Sequence, residues 1–233
     1  MQDSRIDLNS AAGLALKNGD YGPGALIAIC GFDGSGKTTQ LTALAEHFTA
    51  YGHEVLTTRQ PTTDYRNEPV VRQFLDDGGS ADRARVLAVM AAADRHKHVH
   101  NVILPALRQG KIVLCDRYLF SSLVYFEARG VAPGFVAQIN QGIPKPDLSV
   151  FLDVPAETVM ARLKRRDGDK LKYEERDVSK IADMLNRFRS MTGHLSMIAG
   201  DAPPEQVTQA ILARFETTEF AQEQRRTAPA LDA

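Results

Sequence analysis

Short apolar runs alternate with helix-length segments along most of the chain. Continuous apolar runs indicate strands that are buried on both faces. We expect five of them, at residues 25–30, 54–58, 111–115, 148–152 and 195–199. Helical patterns cover residues 38–51, 82–109, 156–166, 179–191 and 204–215. Strand–helix alternation of this kind predicts an α/β fold of three layers, in which helices cover both faces of a five-stranded parallel sheet.

The two ends of the chain differ in pattern from the middle. Residues 1–23 form an N-terminal extension in which Asn9 or Ser10 is expected to cap a short helix that ends by Gly19. Residues 24–217 form the main domain, and the polar residues 218–233 are expected to be a disordered tail. No apolar run is long enough for a membrane span or a signal peptide, so no membrane partner is expected.

Charge and cysteine content exclude some classes of function. Lys and Arg number 28 and Asp and Glu number 29, which gives a net charge of -1. Nucleic acid as the main partner would require a basic excess, so it is not expected. Cys30 and Cys115 each end an apolar run, and two cysteines cannot build a disulfide framework. They are expected to be buried thiols in a reducing compartment, which predicts a cytoplasmic protein.

A complete phosphate-binding motif follows the first predicted strand. Residues 31–38, GFDGSGKT, match G-x-x-x-x-G-K-[ST]. Its glycines let backbone N–H groups point at phosphate, and the next helix adds its positive end. Lys37 is expected to reach the outer phosphates of ATP, and the Thr38 hydroxyl to bind Mg²⁺. The predicted nucleotide-binding residues are Gly31, Gly34, Ser35, Gly36, Lys37, Thr38 and Thr39.

Ligands of parallel α/β sheets bind at the carboxyl ends of the strands. Asp116 lies at the tip of the third predicted strand. An acid in that place, near a phosphate-binding loop, is suited to organising Mg²⁺. It is therefore predicted to share a metal with Thr38.

Several blocks of sequence, in this order, resemble the thymidylate kinases, which are P-loop nucleoside monophosphate kinases. They are residues 31–40 (GFDGSGKTTQ), 58–61 (TRQP), 92–95 (AADR) and 116–118 (DRY), followed by Ser121, Ser122 and Tyr125. The resemblance covers roughly residues 25–217. It implies transfer of a phosphoryl group from ATP to dTMP. It also implies a homodimer, for which the long helix 82–109 is the candidate interface.

The resemblance implies a role for individual residues. Arg59, Arg95 and Arg117 match the family's ligands of the acceptor phosphate. Asp33 matches an acid that helps to place the metal and the acceptor. Tyr125 matches the residue under the sugar, and Ser122, next to Ser121 in the same block, matches the residue at the pyrimidine edge. The basic stretch around residues 164–175 matches the lid that closes over ATP, with Arg165 and Arg166 as its cations. The implied catalytic residues are Lys37, Asp33, Arg117, Arg165 and Arg166, and the implied metal ligands are Thr38, Asp116 and Asp33.

Three positions depart from the family pattern. Gln60 stands where a Glu is usual, and Asp169-Lys170 replaces an Asp-Arg pair. Ala91 stands where the family places a Phe that stacks on thymine. A stacked ring contributes about 1–3 kcal/mol per base. Its loss leaves two options, namely replacement by Phe74 or Phe126, or a wider pocket for a larger pyrimidine.

Four functions therefore compete. The first is phosphorylation of dTMP, and the second is the same chemistry on a 5-substituted pyrimidine deoxynucleotide. The third is a deoxynucleoside kinase, which needs a carboxylate base after the second strand, where this chain has Gln60. The fourth is a non-catalytic nucleotide switch, which would not need Arg59, Arg95 and Arg117. The motifs favour the first.

Overall fold

The computed structural model describes residues 6–168 and 170–227. Its strands are β1 (Leu16–Lys17), β2 (Ala25–Cys30), β3 (Val55–Arg59), β4 (Ile112–Asp116), β5 (Ile143–Pro144), β6 (Leu148–Asp153) and β7 (Ser196–Ala199). Its α-helices are α1 (Leu8–Ala15), α2 (Lys37–Ala50), α3 (Thr63–Asn67), α4 (Pro69–Asp77), α5 (Ala81–His98), α6 (Leu104–Arg108), α7 (Leu119–Ala128), α8 (Pro133–Ile139), α9 (Ala156–Asp167), α10 (Val178–Arg189), α11 (Pro204–Phe215) and α12 (Glu219–Thr227). A π-helix spans Val99–Ile103, and a 3₁₀-helix spans Tyr173–Glu175.

Five of these strands form a parallel sheet in the order β3-β4-β2-β6-β7. Successive side chains of β2 point to opposite faces, so Leu26 and Ala28 enter one apolar core while Ile27 and Ile29 enter the other. Helices α2 and α11 cover the second core, and α5, α7 and α10 cover the first. The predicted three-layer α/β fold is confirmed.

The carboxyl ends of three strands meet at one edge of the sheet. Arg59, the last residue of β3, is in register with Asp116, the last residue of β4, and Asp116 is also in register with Ile29 of β2. The phosphate-binding loop follows β2 directly. The sheet therefore brings the predicted loop, Arg59 and Asp116 together, as the parallel arrangement requires.

The helices differ from the prediction in several places. The single helix expected over residues 82–109 is α5, the π-helix and α6 in succession. Pro105 lies near this break, and proline removes a helical N–H donor. Helices α3, α4, α7, α8 and α12 were not predicted. In α7 seven of ten residues are buried, so the amphipathic period that marks a surface helix is missing.

The N-terminal extension packs on the main domain. Leu8, Ala11, Ala12 and Ala15 of α1 belong to the first core, and β1 pairs in parallel with β5. The cap is neither Asn9 nor Ser10, because Asp7 Oδ1 accepts a hydrogen bond from Ser10 N at 2.7 Å. Because Asp7 is the cap, the helix starts closer to the N-terminus than predicted.

The expected disordered tail is wrong for part of its length. Helix α12 lies within it, and Ala221 is buried in the second core against the end of α11. Apolar residues such as Phe220 give this helix a side to bury. Residues 228–233 of the predicted tail lie outside the described residues.

Within the described ranges, no helix is both long enough and apolar enough to cross a membrane. Cys30 and Cys115 are free and buried. Burial raises the pKa of the Cys30 thiol to about 11, so the thiol is protonated at neutral pH. These two residues are therefore apolar core groups, as expected.

Helix α1 offers a direct test of its share in stability. Leu8 is 5% exposed, whereas Leu14 on the same helix is 51% exposed. We expect Leu8→Ala to lower the free energy of unfolding by about 3 kcal/mol, because it leaves a cavity, and Leu14→Ala to change it by less than about 0.5 kcal/mol. Urea denaturation measures both. Equal effects of the two substitutions would mean that α1 does not contribute to the core.

Candidate active site

The phosphate-binding loop has the backbone that the motif predicts. Gly31, Gly34 and Gly36 have φ of +155°, +83° and +97°, where other residues are strained. A Cβ on Gly31 would lie 2.5 Å from Ser35 Oγ. The loop leads from β2 into α2, which starts at Lys37. The strand, loop and helix context that confirms such a motif is present.

Two adjoining pockets open at this edge of the sheet. The polar pocket is lined by the loop and by basic side chains, among them Lys37, Thr38, Thr39, Arg59, Asp116, Arg162, Arg165 and Arg166. The apolar pocket is lined by Phe32, Tyr65, Val71, Leu87, Tyr125 and Phe126, with Ser121, Ser122 and Arg129. Four residues line both: Asp33, Arg66, Arg117 and Lys172. We call these four the junction.

Asp33 lies at the centre of the junction. Its carboxylate is 2.6 Å from Arg117 Nη2, 2.6 Å from Lys172 Nζ and 3.6 Å from Lys37 Nζ. Burial alone would raise the pKa of Asp33, but these cations lower it well below its ordinary value. The carboxylate is therefore ionised at neutral pH and draws cations from three separate parts of the chain.

Lys37 and Arg117 each form a hydrogen bond to a backbone carbonyl in addition to the contact with Asp33. Lys37 Nζ donates to Phe32 O at 2.9 Å, and burial together with Arg117 lowers the pKa of Lys37 to about 8 although Asp33 raises it. Arg117 has a φ of +68°, and its N–H donates to Ile29 O at 2.9 Å. Backbone strain of about 1–3 kcal/mol is common where a functional side chain must be aimed.

Three arginines meet where the polar pocket reaches the junction. Arg59 and Arg117 were predicted, and Arg66 of α3 was not. Burial, then Arg117 and Arg59, lower the pKa of Arg66, whose Nε donates to Pro61 O at 3.1 Å. Neither Arg59 nor Arg66 forms an ion pair with a carboxylate of the described residues. Three arginines that share a single paired carboxylate leave an excess of positive charge, which suits an anion such as phosphate.

Arg95 is not part of this cluster, and we do not place it among the ligands of the acceptor phosphate. It is 1% exposed and lines neither pocket. Its guanidinium donates to Gln60 Oε1 at 2.9 Å, Asn140 Oδ1 at 2.5 Å and Ser122 Oγ at 2.6 Å. Arg95 therefore fixes Ser122 from behind the apolar pocket.

The same network explains the departure at Gln60. Its amide accepts from Arg95, and its Nε2 is 3.0 Å from His98 Nδ1. Burial lowers the pKa of His98, so the ring is neutral and its Nδ1 can accept. A carboxylate could accept from Arg95 but could not donate to this ring. The amide makes both hydrogen bonds, and Gln60 lines neither pocket.

Ala91 leaves no gap at the apolar pocket. It is 1% exposed within the first core, and Leu87, one turn earlier on α5, forms the wall instead. Phe126, one of the two predicted replacements, lines the pocket, whereas Phe74 lies outside it under Arg129, at 5.0 Å. The option of a pocket widened by Ala91 is therefore wrong.

The Tyr125 ring lines the apolar pocket beside Arg117 and Arg129. Its ring stacks on Phe32 with centroids 6.1 Å apart, and Arg117 lies 5.2 Å from its centroid. Burial raises the pKa of Tyr125, so its hydroxyl stays protonated. Ser121 Oγ is 3.4 Å from Arg117 Nη1. Ser121, Ser122 and Tyr125 thus line the pocket as the resemblance implies.

The apolar pocket is also lined by an ion pair that the sequence analysis did not predict. Arg129 donates from Nε and Nη2 to the Glu174 carboxylate at 2.6 and 2.9 Å. Arg129 follows Tyr125 by four residues, one helical turn, and this spacing was the available signal. Glu174 lies at the C-terminal end of the lid stretch, in the 3₁₀-helix, so the pair ties this end of the lid to the end of α7.

The predicted lid cations line the polar pocket. Arg165 and Arg166 belong to the last turn of α9. Arg166 is held by the Asp167 carboxylate at 2.8 and 2.6 Å. Lys172 lies five residues beyond the end of α9 at Asp167, and among the described lid residues it is the one that belongs to the junction. Asp169 lies outside the described residues.

Two of the three predicted metal ligands suit Mg²⁺. Asp116 Oδ1 is buried without a hydrogen-bond partner, and Thr38 lines the same pocket. Asp33 does not suit it, because cations already surround its carboxylate. No group of three or more His, Cys, Asp or Glu that could hold a metal occurs in residues 6–168 and 170–227. Mg²⁺ is commonly held by one or two protein groups together with substrate phosphates, and Asp116 and Thr38 are groups of the kind it takes.

Comparisons with known proteins agree with this geometry. The sequence profile of a family described as thymidylate kinase matches residues 29–211. A probable thymidylate kinase of Pyrococcus horikoshii is 41% identical over 177 residues, which is 71% of this chain and 86% of the relative. One of Pyrococcus abyssi is 40% identical over 186 residues, 75% and 90% of the two chains. A thymidylate kinase of Gluconobacter oxydans is 36% identical over 206 residues, 82% and 94% of the two. The chain therefore belongs to the thymidylate kinase family.

Proposed function

We propose that this protein transfers the γ-phosphoryl group of ATP to dTMP and releases dTDP and ADP. The observation that carries the proposal is the junction. There an apolar pocket, lined by aromatic rings and serine hydroxyls that suit a nucleoside, meets the phosphate-binding loop. Family membership supports the same activity. The polar pocket receives ATP, and the apolar pocket receives the acceptor.

ATP is held by the phosphate-binding loop. Backbone N–H groups and the start of α2 face its phosphates, and Lys37 neutralises the outer ones. Thr38 and Asp116 would hold Mg²⁺, which supplies further neutralisation of phosphate oxygens. Arg165 and Arg166 line this pocket and add positive charge as the lid closes and excludes water.

The acceptor needs no general base, because a phosphate monoester is already anionic near neutral pH. Arg59, Arg66 and Arg117 bind its phosphate, and the base lies between Leu87 and Phe126 in the apolar pocket. Catalysis then consists of holding two polyanions in line and neutralising their charge. Ser122, fixed by Arg95, is placed to bond the edge of the pyrimidine.

The competing functions fit less well. A deoxynucleoside kinase needs a carboxylate that accepts a proton, but the pKa of Asp33 is too low and Gln60 is a buried amide. A nucleotide switch gives no reason for the arginine cluster. A 5-substituted pyrimidine is disfavoured because Ala91 does not widen the pocket.

We also propose a homodimer and a cytoplasmic location. Val86 and Val89 on α5 are 56% and 47% exposed, and a second copy would bury them. Two buried free thiols support a reducing compartment.

The test of the proposed function is a panel of nucleoside monophosphates assayed with ATP and Mg²⁺. We expect the highest kcat/KM with dTMP. Lys37→Ala is the control that assigns the activity to this site, and we expect it to lower kcat by roughly 100-fold or more while the fold is kept. Another nucleotide at the top of the panel would contradict the proposed substrate. Lys37→Ala within tenfold of the parent would contradict the proposed site.

Arg66 tests the acceptor side separately. We expect Arg66→Ala to raise the KM for dTMP by roughly tenfold or more, with little change in the KM for ATP, because a charge-assisted contact to phosphate is lost. Arg72→Ala is the matched control, since Arg72 is exposed and bonds to Asn67. Steady-state kinetics with each substrate varied measures both. If the two variants behave alike, Arg66 is not a phosphate ligand.

A further inference from the structure

Lys172 is fixed at the meeting point of the two pockets. Its Nζ is 2.6 Å from Asp33 Oδ2 and 3.2 Å from Glu175 Oε1. Its backbone N–H donates to Glu175 Oε2 at 3.0 Å, and Glu175 is buried. The same glutamate therefore holds both the backbone and the ammonium, which gives Lys172 one position at the start of the 3₁₀-helix.

The other lid cations that line a pocket do not reach the apolar pocket. Arg165 and Arg166 line the polar pocket alone, and Arg166 is occupied by Asp167. Of the basic residues in 164–168 and 170–175, Lys172 is the one that lines both pockets. With ATP in the polar pocket and the acceptor in the apolar pocket, as in the proposed function, a cation in that place would lie between the two sets of phosphates.

The sequence does not mark this residue. Lys172 is one of several basic residues in a stretch that the resemblance assigns to the lid as a whole. It also lies far along the chain from Lys37 of the phosphate-binding loop. The fold, not the local pattern, brings the two ammonium groups to the two carboxylate oxygens of Asp33.

We propose that Lys172 is a further catalytic residue, whose ammonium binds the phosphoryl group as it passes between the two nucleotides. The inference rests on the proposed function. In the step, a bond forms from an acceptor phosphate oxygen to the γ-phosphorus, and the bond from that phosphorus to the β-phosphate oxygen breaks. The electron pair stays on ADP, and no proton moves. Lys172 neutralises the equatorial oxygens of the transferring group.

If Lys172 moves away from Asp33, the Asp33 carboxylate still has two cationic partners. Arg117 and Lys37 remain beside the carboxylate when the ammonium turns to a phosphoryl oxygen. Burial lowers the pKa of Lys172, but Asp33 and Glu175 outweigh it and leave the pKa above its ordinary value. The residue is thus a permanent cation rather than a proton donor.

The first experiment compares Lys172→Met with Lys180→Met, using the nucleotide that the parent phosphorylates fastest. Lys180 packs on the Tyr173 ring at 3.6 Å, so its loss disturbs the same turn without touching either pocket. We expect Lys172→Met to lower kcat by roughly 30-fold or more and to change the acceptor KM by less than about threefold. Lys180→Met should stay within about twofold, and Lys172→Arg should recover part of the loss.

A double-mutant cycle separates direct contact from an effect through Asp33. If Lys172 merely balanced the Asp33 charge, Lys172→Met would cost nothing once Asp33→Asn is present. We expect it to lower kcat by a similar factor in both backgrounds. Equal kcat for Asp33→Asn and for the double variant would overturn the proposal, as would parental kcat in Lys172→Met. A parent that prefers another nucleotide to dTMP would contradict the proposed function while these ratios still decide on Lys172.

Discussion

One carboxylate organises the active site of this enzyme. Asp33 forms ion pairs with Lys37 of α2, Arg117 after β4 and Lys172 after α9. These three cations come from separate parts of the chain and meet at one carboxylate. Burying two charges is costly unless each is paired with good geometry. The positions of the phosphate-binding loop, the β4 end and the base of the lid are therefore coupled through a single charge.

This arrangement has a surplus of positive charge that the chain does not balance. Arg59 and Arg66 lie beside Arg117 without acids of their own, and burial and neighbouring arginines lower the pKa of Arg66. Under the proposed function, phosphate groups supply the missing negative charge when substrates bind. In the free enzyme Asp33 holds Lys37, Arg117 and Lys172 in place, and under the proposed function the substrate phosphates take over much of this role. Such a site is preorganised, because little rearrangement is needed when the reaction begins.

Local patterns predicted the frame of the molecule well. The five apolar runs became the five strands, and the loop after β2 has its expected backbone, because both depend on neighbours in sequence. Arg66, Arg129 and Glu174 were missed because their importance comes from elements that meet only in the fold. Arg95 was assigned to phosphate by its resemblance and residue type, whereas the fold buries it among Gln60, Asn140 and Ser122, which no local pattern indicates. Ala91 suggested a wider pocket for a similar reason. Its small side chain is visible in the sequence, but the neighbouring residues that bury it are known only from the fold.

The central claim, that Asp33 holds the cations until phosphates replace it, is tested most directly by the unfolding free energy of Asp33→Asn. Its folded pKa lies below the unfolded value, so its contribution to stability is fully present at pH 7 and is lost only as the pH falls through the folded pKa. At pH 7 we expect the free variant to lose about 3 kcal/mol relative to the parent. With saturating dTMP and ADP, which cannot react, the difference should shrink to less than half. An unchanged difference with both nucleotides bound, or no difference in the free enzyme, would contradict the account.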